Sequence, residues 1–179
     1  MGVKSLNVGL KLPFLDIGTT WTPNDAEAKA SWELLVELST RTAVIGLRDD
    51  DGVLREALGS LFQLFGITRE ILKRYGPGVA PNSKVGEATF GIIAIRILND
   101  VLRPFLSSWH PALDTHEKLR PASSSTAAWE REWDRHVELR ADLKALRSKI
   151  RAFVDVLGEA AGTQQFAASV QQSADLGPQ

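Results

Sequence analysis

The chain has 179 residues, 44% of them apolar and 24% charged, with 21 basic against 22 acidic side chains, a net charge of −1 and no cysteine. This is the composition of one globular domain large enough to bury a core without disulfide or metal staples. It excludes disulfide scaffolds, thiolate metal sites and cysteine nucleophiles, and its balanced charge gives no overall nucleic-acid footprint.

The first residues alternate in polarity and lack the continuous apolar run of a signal peptide. The most apolar window, Phe90 to Leu106, contains Arg96, Asp100, Arg103 and Pro104, too polar for a bilayer span. The sequence therefore predicts a cytoplasmic protein with no transmembrane segment. Within residues 1–20, Leu6, Val8, Leu10 and Leu12 repeat with the period of a half-buried strand, which Pro13 ends. Such an arm is expected to lie along its own domain, pair with another short strand, or add to the edge of a second chain.

Asn24 or Thr22 caps a predicted helix over 25–43 whose apolar stripe is Ala28, Trp32, Leu35, Leu38 and Thr42, with Asp25, Glu27, Glu33 and Glu37 making it acidic. The turn Asp49-Asp50-Asp51-Gly52 follows. In a calcium-loop register with Gly52 sixth, Leu47 and Leu58 would take ligand positions, so the turn reads as a solvated helix start. A second helix is predicted over 51–75, with Leu54, Leu58, Leu61, Phe65, Thr68, Leu72 and Tyr75 on its inner stripe. Gly59 and Gly66 share a face on which another backbone or a ligand is expected to approach closely.

A third helix is predicted from Ser83 and is apolar over most of its circumference, hence central; Pro104 kinks or restarts it and Pro111 closes it, with His110 outside helical geometry. The fourth, begun by Ser125 or Thr126, carries the heptad seam Leu139, Leu143, Leu146, Ile150, Phe153 and Leu157. The residues after Gly158 are small and polar and read as a flexible tail, 159–179. The expected fold is all-α: an antiparallel four-helix bundle over 21–158 with an extended N-terminal arm and a kinked third helix.

The sequence holds no phosphate-binding glycine loop, no Gly-x-Ser-x-Gly and no His-Glu-x-x-His. His110, Asp114, His116 and Glu117 lie close together, with His136 further on, but no Glu-x-x-His of a di-iron bundle occurs. No catalytic residue, metal ligand or cofactor is predicted, and His110 is expected to cap a helix end. Candidate interaction residues fall in three groups. Arg103, with Trp109 and His110 beside the Pro104 break, is expected to form an anion-recognising corner with Arg41. Trp129 and Trp133, four apart, are core or interface anchors. Arg140, Lys144 and Arg147 belong to a basic stretch of the fourth helix whose sign complements the acidic first helix, pointing to a contact between neighbouring helices or between subunits.

Trp32-Glu33-Leu34-Leu35-Val36-Glu37-Leu38, Leu54-Arg55-Glu56-Ala57-Leu58, and Leu98 through Leu106 closing on Trp109-His110-Pro111 resemble a small helical domain of bacteria of the kind found in prokaryotic conflict and signalling loci. The resemblance covers about residues 20–157 and consists of core patterns without chemistry. It implies an interaction domain and transfers no catalytic residue. The leading expectation is a non-catalytic adaptor or regulator acting through a protein partner or self-association, without nucleic acid. The alternatives are a small-ligand or metal-dependent enzyme centred on His110, His116 and Arg103, and a fourth helix that lies on anionic membranes.

Overall fold

The computed structural model describes residues 8–9, 12–13, 20–41, 53–82 and 84–176. Leu6, Leu10, Thr42, Ser83 and the acidic turn at 49–52 fall outside them. The protein is all-helical. Its one strand ladder among the described residues is a two-residue antiparallel pair between β1 (Val8–Gly9) and β2 (Thr20–Trp21), Val8 opposite Trp21, with an isolated parallel bridge from Thr20 to Glu87 beside it. The other edge of β2 is met by the segment before the third helix, whose Ala88 amide donates to the Thr20 carbonyl at 2.9 Å. Of the three fates open to the arm, residues 8–9 take the pairing with a short strand.

Helix α1 (Asp25–Ser39) starts at Asn24, which forms a capping box with Glu27. The carboxylate of Glu27 then does more than cap. It is 1% exposed, and it accepts from the Trp21 indole at 3.1 Å and from the Phe90 amide at 2.9 Å. The expected stripe of α1 is correspondingly rotated. Leu34, Leu35 and Leu38 are buried with Glu27, Ala30 and Ser31, while Trp32 stands 41% exposed. Ser31, fully buried and donating to the Glu27 carbonyl, takes the inner position beside which apolar periodicity placed the Trp32 indole.

Helix α2 (Leu54–Tyr75) buries Leu54, Ala57, Leu58, Leu61, Leu64, Thr68 and Ile71. Phe65, Leu72 and Tyr75, expected inside, are half-buried. The helix ends at Gly76, whose φ of +58° favours glycine, and a 3-10 turn (Gly76–Val79) follows.

The third helical run begins at Phe90, later than expected, where Thr89 accepts from the Ile92 amide. It comprises α3 (Phe90–Arg96), a π-helical segment (Ile97–Leu102) and α4 (Arg103–Glu117). Pro104 explains the wide turn, because its ring would clash with the Asp100 carbonyl in a regular α-helix. Bonding of the Arg103 amide to the Leu98 carbonyl, five residues back, relieves that clash and re-phases the side chains downstream. Pro111 does not close the element as expected: α4 continues to Glu117 with His110 helical. The carbonyl four residues before Pro111 belongs to exposed Ser107, where water can replace the missing amide.

The predicted fourth helix is divided into α5 (Thr126–Arg131), capped by Ser125, and α6 (His136–Ala160). All six seam residues of α6 are buried, each contributing about 1.5–3 kcal/mol. They face this chain's own core, since α1 packs along α6, so the seam is already covered within one molecule. Beyond it the expected flexible tail gives way to α7 (Gln164–Leu176), packed on α6 and α1. No helix among the described residues is long and apolar enough to cross a membrane.

The glycines divide by environment. A Cβ at Gly59 or Gly66 would meet nothing within 4 Å, so no other described part of the chain approaches closely there, and Gly66 lines the open groove beside α1. At Gly158 a Cβ would lie 2.7 Å from the Cβ of Ala167 on α7. Gly59→Ala should therefore raise unfolding free energy in denaturant by up to about 1 kcal/mol through helix propensity. Gly158→Ala should lower it, with faster amide exchange in α7. Equal effects of the two substitutions would contradict this packing.

Candidate functional site

Val53, the residue before α2, offers no capping side chain. The first amides of α2 are served instead by Glu130 of α5, which accepts from Leu54 at 2.7 Å and Arg55 at 3.1 Å. Glu130 is 2% exposed, and burial pushes its carboxyl above the usual range while the two amides oppose that shift. From the same first turn Arg55 reaches α4. Its guanidinium donates to both oxygens of Glu117, at 3.0 Å from Nε and 2.6 Å from Nη2, and through Nη1 to Nδ1 of His110 at 2.9 Å.

That last bond fixes the histidine. An arginine can only donate, so Nδ1 supplies the acceptor lone pair and the proton of the neutral ring sits on Nε2. Burial first and Arg55 second hold the His110 pKa below its usual value, against the pull of Glu117. Nε2 is buried and has no hydrogen-bond partner among the described residues. The ring's lone pair being committed to Arg55, His110 is placed to donate a hydrogen bond and poorly placed to act as a general base.

His110 lines one end of a groove of about 660 Å³ between α2 and the α3–α4 run. Its walls are largely Phe62, Phe65, Leu72, Ile95, Leu98 and Leu106; its polar members include Arg69, Asn99 and Arg103, and none of its lining residues is acidic. Arg103 lies over the Phe65 ring, 5.2 Å from its centroid, and donates to Asn99 at 3.0 Å. On the other flank of α2 a groove of about 810 Å³ runs beside α1, with Trp32, Val36, Glu33, Glu37 and Glu70 in its lining. Phe62, Phe65 and Arg69 line both grooves, and Phe62, 61% exposed, forms the ridge between them.

Arg41 bonds Glu37, the Ser60 carbonyl and Gln63, and Arg103 bonds Asn99, so among the described residues the two arginines expected to form an anion corner share no hydrogen-bond partner. The tryptophans are brought together, with a histidine between them. Trp109 is buried, donates to Asp142 at 3.1 Å and meets Trp133 edge-on. His116 stacks on Trp129 at 4.7 Å and lies 5.5 Å from Trp133, and its Nε2 donates to the Trp129 carbonyl. His116 is thus a half-buried histidine packed on the tryptophans, with partners different from those of His110. On α6, Arg140 bonds His136, Lys144 is exposed, and half-buried Arg147 is held below its usual pKa by burial, Arg151 and Arg140. The acids of α1 do not pair with this basic stretch: Glu33 takes Arg74 and Tyr75 of α2, and Glu37 takes Arg41. Among the described residues no group of three His, Asp or Glu is placed to hold a metal ion. Asp114 pairs with Lys118 and Glu117 with Arg55.

The sequence reading missed Glu130, Arg55 and Phe62 as site residues. Two signals were present: a helix start at Val53 without a capping residue, and an aromatic residue lying off the apolar stripe of its helix. Compared with known protein families, curated proteins and solved structures, the chain matches none.

In an NMR titration His110 should be neutral with its proton on Nε2 and should titrate below about 6.5. Arg55→Gln should raise that pKa. The unfolded chain binds the extra proton first, so the His110 contribution to stability is present above about pH 6.5 and is lost as pH falls below it. A wild-type value above 6.5, or a fall in Arg55→Gln, would overturn the assignment. Glu130→Ala should cost about 2–3 kcal/mol in denaturant unfolding by orphaning two amides; a loss under about 0.5 kcal/mol would show that water serves them equally well.

Proposed function

We propose that this chain is a non-catalytic helical interaction module, an adaptor or regulator whose docking face is formed by α1, α2 and the α3–α4 run. The observation that carries the reading is the Phe62 ridge. It leaves a large aromatic side chain in solvent between two grooves, and Trp32 and Ile95, 41% and 46% exposed, flank it from the neighbouring helices. Exposed aromatic anchors beside grooves are the features by which helical surfaces bind partners. The four long helical stretches are read as an antiparallel bundle that holds this face rigid, with the extended arm and the wide turn at Pro104 as its variations. On the resemblance of its core patterns, the module serves a bacterial signalling or defence system within the cytoplasm.

The tautomer of His110 supports this reading over the enzyme centred on His110, His116 and Arg103. The lone pair of one imidazole is taken by Arg55 and the other ring is packed against Trp129. A photo-crosslinking amino acid at position 62 should yield a discrete protein adduct in cells, while the same group at exposed Val137 should yield none. Labelling absent at 62, or equal at both positions, would defeat the proposal.

A further inference from the structure

We propose that the groove between α2 and the α3–α4 run receives one helix of a partner protein, an amphipathic helix whose apolar stripe is bordered by aspartate or glutamate. The inference rests on the reading of this face as an interaction surface and names the chemistry of the partner.

The groove has the layering of an interface. Its apolar lining runs from buried Leu98 and Leu106 through half-buried Phe65 and Leu72 to exposed Phe62 and Ile95. Arg69 and Arg103 are exposed beside it. An apolar centre with a polar, solvated rim is how protein partners meet. From Phe62 to Leu72 the α2 wall is about 15 Å long, close to three helical turns. Both walls are helices, which spend their main-chain groups on their own ladders, so the occupant has to satisfy its own backbone, as a helix does.

Charge selects among such helices. Arg69 of α2 donates to the Phe65 carbonyl, and Arg103 of α4 lies over the Phe65 ring and donates to Asn99. Neither arginine is paired with a carboxylate among the described residues, and no acid lines this groove. Arg69 also borders the groove beside α1, but the acids there are committed within the chain, Glu33 to Arg74, Glu37 to Arg41 and Glu70 to Lys73. A partner that covers the apolar lining strips water from both guanidiniums. A neutral or basic helix gives nothing in return and is rejected, whereas carboxylates bordering its apolar stripe supply the missing pairs.

A displayed library of random peptides about 16 residues long, selected against the full chain, should enrich sequences with apolar residues at three- and four-residue spacing and Asp or Glu beside that stripe. A synthetic peptide of the selected sequence should bind more weakly as salt rises. Its affinity should fall about tenfold or more for Arg103→Glu and for Ile95→Glu, both at exposed positions and with unchanged circular dichroism spectra, and should hold for Val137→Glu on α6. With its acids replaced by lysine, the peptide should prefer Arg103→Glu to the wild-type chain, a reversal that general destabilisation does not produce. No enrichment, enrichment of neutral or basic sequences, or affinities unmoved by Arg103→Glu and Ile95→Glu would overturn the inference. Self-association of the chain abolished by Ile95→Glu would overturn it too, by making the occupant a second copy. If the inference falls while the crosslinker at position 62 still yields a discrete adduct, the interaction module stands with a partner of other chemistry; with no adduct, both readings fall.

Discussion

Helix α2 begins without a side chain of its own to serve its first amides, and the carboxylate that serves them comes from Glu130, 76 residues further along the chain. A buried carboxylate is costly unless it is hydrogen-bonded, and here the partial positive charge of a helix N-terminus meets that need. Because the cap is remote, it fixes α5 against the start of α2, and Arg55 in the same turn fixes α4 through Glu117 and His110. Glu27 makes the corresponding link at the other end, joining α1 to β2 and to the first amide of α3. Apolar contact gives the molecule its bulk, while these two acids specify which helix ends meet.

The same network determines the character of the grooves. His110 without Arg55 would be free to choose either tautomer; held by it, the ring keeps its proton on the buried Nε2 at the edge of a groove whose walls are mainly apolar and carry no acid. The π-helical segment contributes by re-phasing Arg103 so that it lies over Phe65. The groove's chemistry is therefore set by a proline, an arginine and a remote carboxylate, none of which lies on its apolar walls.

Apolar periodicity made the helical class, the seam of α6 and the caps at Asn24 and Ser125 legible in the sequence, since burial and local hydrogen bonding leave direct traces in spacing. It did not find the buried acids. Glu27 reads as a first-turn surface residue, and Glu130 stands in the charged run Trp129-Glu130-Arg131-Glu132-Trp133, where nothing local separates the one carboxylate that points inward. Both are defined by donors far away in sequence. Trp32 was misplaced because a serine, Ser31, holds the inner face at its level, which apolar spacing does not reveal. The residues after Gly158 read as a tail because they are small, yet smallness is what allows α7 to approach α6 at Gly158 and Ala167. Of the candidate site, Arg103, Trp109 and His110 were visible as polar or aromatic departures near a proline, whereas the Arg41 partnership depended on geometry that spacing does not encode.

The remote cap also orders events during synthesis. When α2 leaves the ribosome, the amides of Leu54 and Arg55 have only water to bond, and they remain so until residue 130 has been made and has emerged. A nascent chain halted before that point has the apolar stripe of α2 but no anchor for its first turn, so that turn frays while later turns collapse on α1. The chain thus acquires the cap of α2 late, only once Glu130 has been made.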